Sequence, residues 1–301
     1  MHRGALASFG IICLALVGIA PAGDQKPPKN GEADAPLLIL DAQRKEVKLK
    51  GWHLTAGVRK LPIDGDAKKG PDYLEFREDT STTYQNGILT LVPVGSVRKI
   101  DYDFDAKTVT AVVATAHDKD ATLKGSIKFQ GINRLTIEGD ADLGELGFAS
   151  VKFLGGNPKG GVTGIRFPNP KPAPDTKLFP AAVITGEDKD KTKHHVASLQ
   201  AIYQQPNGSY QLSPTLYFKK TVKIDIGKIA ALRHIESEDK KSTSYDFEVT
   251  LQGGDKHTLT MLTKVEQDGG KSMALAGLFG AVPVGYKLFP AHTILELQTE
   301  K

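Results

Sequence analysis

The chain has 301 residues, a formal net charge of +4 and a single cysteine. That length allows two domains of ordinary size, and the interleaving of Lys and Arg with Asp and Glu argues against a nucleic-acid partner, whose binding surfaces cluster basic residues beside aromatic ones. One cysteine excludes a disulfide framework, so buried apolar area must supply the stability.

The first element in chain order is an export signal. Met1, His2 and Arg3 open it, an uncharged run follows from Gly4 to Ala20, and Ala20-Pro21-Ala22 ends it with small residues at the cleavage positions. This pattern predicts a signal peptide over 1–22, cut after Ala22. The uncharged run is 17 residues, at the short limit for crossing a hydrocarbon layer of roughly 30 Å. Cys13 follows Ile12, where a lipid-attachment box needs a small residue, so no lipid anchor is expected and the mature chain has no cysteine. Residues 23–35, rich in Lys, Pro, Gly and Glu, carry too little apolar surface to fold and are expected to form a tether.

A first β module is expected over 36–155. Within it, Tyr73 to Phe76 and Thr108 to Val113 read as strands, and Gln85-Asn86-Gly87 as a hairpin turn. A Pro/Gly-rich linker is expected over 156–177, because Asn157-Pro158, Gly160-Gly161 and the four prolines from Pro168 to Pro174 favour an extended spacer. A second β module is expected over 178–298. There Tyr245 to Leu251 and His257 to Leu262 read as strands separated by Gln252-Gly253-Gly254-Asp255, with a further turn at Gln205 to Ser209.

The two modules resemble each other in apolar pattern more than in identity. Ile39-Leu40 resembles Val183-Ile184, Leu54 matches Leu199, and Pro71 to Phe76 parallels Pro214 to Phe218. Leu89 to Ile100 aligns without a gap on Ile224 to Ile235, Val109, Ala111 and Val113 fall on Tyr245, Phe247 and Val249, and Ile137 to Leu154 resembles Leu275 to Leu297 with a gap. A smaller device recurs inside this pattern: an apolar pair, a corner, then apolar residues three apart, at Leu91-Val92-Pro93-Val94, at Ile226 to Ile235 and at Leu288-Phe289-Pro290-Ala291. Spacing of three suggests a helix, but Pro93 and Gly95 oppose a helix interior, which leaves a bent strand or one helical turn between strands. The pentapeptide Lys177 to Ala181 also recurs at Lys287 to Ala291.

Candidate chemistry is sparse. Asp101, Asp103 and Asp105 alternate as in the opening of a calcium loop and are the candidate metal ligands, although Ala106 and Val112 stand where such a loop needs glycine and a bidentate glutamate. Glu138-Gly139-Asp140-Ala141-Asp142 has the same character. His194 and His195 are adjacent and point to opposite faces of a strand, and the other mature histidines show no HxH or HExxH spacing. Without a mature cysteine or a Gly-x-Ser-x-Gly elbow, no nucleophile and no catalytic residue is assigned. Trp52, Tyr73, Tyr203, Tyr210 and Tyr217 are the candidate ligand-binding rings, set against core packing as their commoner role.

The predicted fold class is therefore all-β, two tandem small β-sandwich or β-barrel modules after a signal peptide. The expected function is that of an exported, non-catalytic binding or structural protein of the bacterial cell envelope, periplasmic or extracellular, since doubling a binding module gains avidity directly. Its expected partners are an envelope protein, a peptide or a polysaccharide, with no nucleic acid, no cofactor and no membrane span after signal cleavage. The alternative is a secreted hydrolase whose site is assembled from dispersed acidic and His residues.

Overall fold

Segments in which alternate residues face a core and water pair into antiparallel ladders, and β7 (Thr108–Val113) is a plain case: Val109, Ala111 and Val113 are buried and Thr108, Thr110 and Val112 are only partly so. The computed structural model describes residues 35–61, 72–77, 87–116, 119–127, 134–158, 161–173, 181–186, 191–235, 245–266 and 272–299. The signal peptide, the tether up to Asp34, residues 174–180 and the Gln85-Asn86 part of the expected hairpin turn lie outside them. Glu32–Lys301 belongs to one compact unit.

The other strands of the first half are β1 (Leu37–Leu40), β2 (Glu46–Ala56), β3 (Val58–Lys60), β4 (Asp72–Arg77), β5 (Leu89–Pro93), β6 (Val97–Asp103), β8 (Ala121–Ser126), β9 (Thr136–Asp142), β10 (Phe148–Leu154) and β11 (Gly164–Arg166). The second half supplies β12 (Ala181–Gly186), β13 (Lys193–Gln204), β14 (Tyr210–Ser213), β15 (Thr215–Phe218), β16 (Val222–Asp225), β17 (Ile229–His234), β18 (Tyr245–Leu251), β19 (Lys256–Met261), β20 (Lys264–Glu266), β21 (Ser272–Val282), β22 (Gly285–Phe289) and β23 (Ile294–Thr299). No α-helix occurs among the described residues. Short 3₁₀ turns at Val94–Ser96, Ile226–Lys228 and Ala291–Thr293 occupy the three expected corners, and at the second of them the Asp225 side chain accepts a hydrogen bond from the Gly227 amide at 2.8 Å.

Two antiparallel sheets result. One runs β10-β9-β2-β1-β11-β6-β7-β8; the other contains the path β22-β21-β13-β12-β23-β17-β18-β19, continued by β15-β16 at one end and by β5-β4-β3 at the other. Counted along each half, the eight strands of the first path and the eight of the second stand in the same order, with β20 as an addition in the second half. Irregularities coincide as well. The ladder of β2 on β9 slips between Lys50 and His53, with Gly51 at φ 55°, and that of β13 on β21 slips between Ala197 and Gln200, with Ser198 at φ 50°. The β6 and β17 ladders slip between Val97 and Lys99 and between Ile229 and Ala231.

Two expectations are corrected. Both sheets are open paths with unbonded outer strands, so the described strands do not close into a barrel. Residues 156–177 are more than a spacer: Gly164–Arg166 forms a central strand between β1 and β6, and Val162, Ile165, Phe167 and Ala173 are buried in the first core. The apolar residues between the proline clusters have enough surface to be drawn into the sheet.

The shared strand order ties the halves together. β5 pairs with β22, placing Leu91 opposite Tyr286 and Leu89 opposite Leu288, so that a first-half hairpin extends the second-half sheet. That hairpin has two apolar faces. Leu74, Phe76 and Val92 join the first core, whereas Tyr73, Leu89 and Leu91 join Ile202, Phe279 and Leu288 in a separate cluster at the joint.

Candidate functional site

The joint also forms a cleft of about 470 Å³ walled by Leu89, Leu275 and Leu288, with Arg59, Arg77 and His292 among its polar lining. Its chemistry follows from strand alternation. Arg59 on β3 and Glu75 and Arg77 on β4 project from paired strands, and the Glu75 carboxylate is gripped from both sides, by Arg59 at 3.3 Å and by Arg77 at 3.1 Å. A guanidinium presents its N–H donors in a planar fork suited to carboxylate or phosphate. The arrangement can take an anionic group attached to a partly apolar body. No family model matches the chain, and no curated protein or solved structure matches it either.

The five candidate rings are not brought together. Trp52 packs against the first core, edge-on to Phe167 at 5.9 Å, with its indole N–H donating to the Ala35 carbonyl at 3.3 Å. Tyr73 and Tyr210 belong to the joint cluster, where Tyr73 meets Tyr286 edge-on at 6.0 Å. Tyr203 is fully buried in the second core, donates its hydroxyl hydrogen bond to the Thr215 carbonyl at 3.0 Å and meets Tyr217 edge-on at 5.7 Å. Burial pushes the Tyr73 phenol up to about 12, with the nearby Tyr286 adding to it, and burial raises Tyr203 further still. These rings serve three cores rather than one surface.

The acidic candidates also separate. Asp101 is paired with Arg166 at 2.6 Å and with Lys99 at 3.1 Å. The Asp103 carboxylate accepts from the Ala106 amide at 2.8 Å and so closes the β6–β7 turn, in which Asp105 is exposed. Among the described residues no group of three His, Cys, Asp or Glu side chains is placed to hold a metal ion. His194 is buried and His195 exposed, on opposite faces of β13 as expected, and His194 Nδ1 lies 2.8 Å from the Lys287 ammonium.

Arg59, Arg77 and His292 escaped the sequence reading. Each is an ordinary charged or polar residue in its own segment, and only the pairing of β5 with β22 brings the three to one cleft. The alternation in Tyr73-Leu74-Glu75-Phe76-Arg77 was the one available signal, since it puts Glu75 and Arg77 on the same side of their strand.

Proposed function

We propose that the chain is a duplicated β module acting as an exported, non-catalytic binding or structural protein of the bacterial envelope, and that the cleft at the joint of its modules is the seat for an anionic ligand. The observation that carries this reading is the matching order of eight strands in the two halves, with the cleft lying where the halves share a sheet. A duplication fused in this way creates a concavity that neither module has alone, and binding sites commonly occupy such interfaces. The ligand class is an acidic peptide or acidic polysaccharide of the envelope, since guanidinium groups beside apolar walls favour a carboxylate-bearing chain.

Co-sedimentation of the purified protein with isolated cell-wall sacculi, alongside titration with oligogalacturonate and polyglutamate, tests the reading. Retention that is lost in the Arg59→Ala, Arg77→Ala double variant supports it. Turnover of ester, phosphate or glycoside substrates that disappears on replacing an acidic or His residue would overturn it in favour of a hydrolase.

A further inference from the structure

The joint within the chain has two counterparts that face solvent. Strand β22 corresponds in chain order to β10, and β5 corresponds to β16. Inside the molecule β22 and β5 are paired. By contrast β10 bonds only β9 and β16 bonds only β15 among the described strands. We propose that the free edge of β10 binds β16 of a second copy of this chain, head to tail, repeating between molecules the joint that β22 and β5 make within one. The proposal rests on the duplicated-module reading.

The register follows from the repeat. Gly139 on β9 and Gly280 on β21 occupy matching places, each lying against the carbonyl that precedes the slip in the neighbouring strand, Lys50 and Ala197 respectively. Gly139 stands opposite Val151 and Gly280 opposite Lys287, so Val151 matches Lys287, whose partner is Thr90. Thr90 lies three residues before Pro93, and Val222 three before Asp225, the residues that begin the two matching 3₁₀ turns. Val151 therefore falls opposite Val222, a favourable β-branched pair, with Ser150 opposite Lys223.

Two further observations fit a second copy. Of the five exposed large apolar residues among the described residues, four are Leu143, Leu146, Phe148 and Leu154, all on the β9–β10 hairpin. The β9–β10 hairpin and the β15–β16 segment are also opposite in charge, the carboxylates of the first lying on β9 and the turn and not on β10 itself. Residues 136–154 hold Glu138, Asp140, Asp142 and Glu145 against Lys152, whereas residues 215–228 hold Lys219, Lys220, Lys223 and Lys228 against Asp225. Lysines on an edge strand repel pairing with a like edge, and here they favour the acidic hairpin. Positions that are apolar in the internal joint, Leu288, Tyr286, Leu91 and Leu89, correspond to Lys152, Ser150, Lys223 and Thr221, so the contact between molecules is electrostatic, weaker and salt-sensitive. Its two surfaces differ, and the geometry makes either a ring or an open chain.

Sedimentation velocity of the purified protein over a concentration series, at low and high ionic strength, tests this. The expected result is self-association at low salt that dissolves at high salt. The Lys223→Glu, Lys228→Glu variant should associate about tenfold more weakly, and adding Asp140→Lys with Glu145→Lys should restore association. Register is read separately with Val151→Cys and Val222→Cys in the mature chain, which has no other cysteine: mild oxidation by diamide should give a disulfide-linked dimer and higher ladder. A protein that stays monomeric at low salt and high concentration, or a cysteine pair that fails to cross-link, overturns the proposal. The duplicated-module reading is probed independently by disrupting the internal joint, so the two failures are distinguishable.

Discussion

Tyr73 shows how one side chain reports on the joint. Its ring lies between β4 and the second-half sheet, 4% exposed, and burial holds its phenol neutral up to about pH 12 against an ordinary value of 10. In the unfolded chain the proton leaves near pH 10, so between those values the unfolded state binds fewer protons and stability falls as pH rises. Below pH 10 the stabilising difference is fully present. Chemical denaturation from pH 8 upward should therefore show a decline beginning near pH 10, and Tyr73→Phe should flatten part of it. Only part is expected because Tyr286, Tyr203 and Tyr102 are also raised by burial. At this scale the sequence was informative about chemistry and silent about exposure: a tyrosine in an alternating strand looks the same whether its face meets solvent or a second sheet. That is why Tyr73 and Tyr203 stood out as candidate ligand rings and proved to be core.

Among the elements, β5 has the most distinctive position, since it is packed on both faces and bonded on both edges. Leu91 is fully buried within it, and replacing Leu91 by Asp would place an unpaired carboxylate in the joint cluster at a cost of about 3–5 kcal/mol. Urea unfolding should show that loss, while Leu123→Asp on β8, where the side chain is only partly buried, should cost far less. Equal effects from the two would mean that β5 does not join the halves. The strands themselves were legible: alternation identified β7 and β18, turn residues placed the β18–β19 hairpin, and proline with glycine narrowed the corners to a bent strand or one helical turn. On the duplicated-module proposal, the apolar match between the halves falls out of register. Ladder partners place Ile39 with Ile184, Trp52 with Leu199, Ile100 with Leu232 and Val109 with Phe247, where pattern matching put Ile39 with Val183, Leu54 with Leu199, Ile100 with Ile235 and Val109 with Tyr245. A period-2 pattern is unchanged by a slip of two residues, the 3₁₀ corners add apolar spacings of three, and the unbroken apolar run of β1 admits the slip of one at Ile39, so apolar pattern alone cannot fix the alignment.

For the molecule as a whole, the pairing of β5 with β22 decides whether two modules behave as one. A contact between distant strand edges leaves no local mark in sequence, because its register is set by pairing across nearly two hundred residues of chain; an extended Pro/Gly-rich spacer between two modules was the expectation. The folded chain instead threads its supposed linker through the first sheet as β11 and lends a first-half hairpin to the second. Each core then depends on the other half, since Val284 of the second half packs against both the first and the second core and Ile88 of the first is buried in the second. Unfolding one half would strip the cover from the joint cluster and leave β22 as a bare edge, so a half-folded intermediate carries a cost of exposed apolar surface that neither the folded nor the fully unfolded chain shares as an interface penalty. The expected outcome is a single cooperative transition by calorimetry, with equal calorimetric and van't Hoff enthalpies. In Leu91→Asp, where the joint is weakened but each core keeps its own strands, that transition should split into two. A wild-type protein that already melts in two steps would show that the shared sheet does not couple the halves, and a variant that melts in one step at lower temperature would assign the coupling to β11 and the cores rather than to the β5–β22 joint.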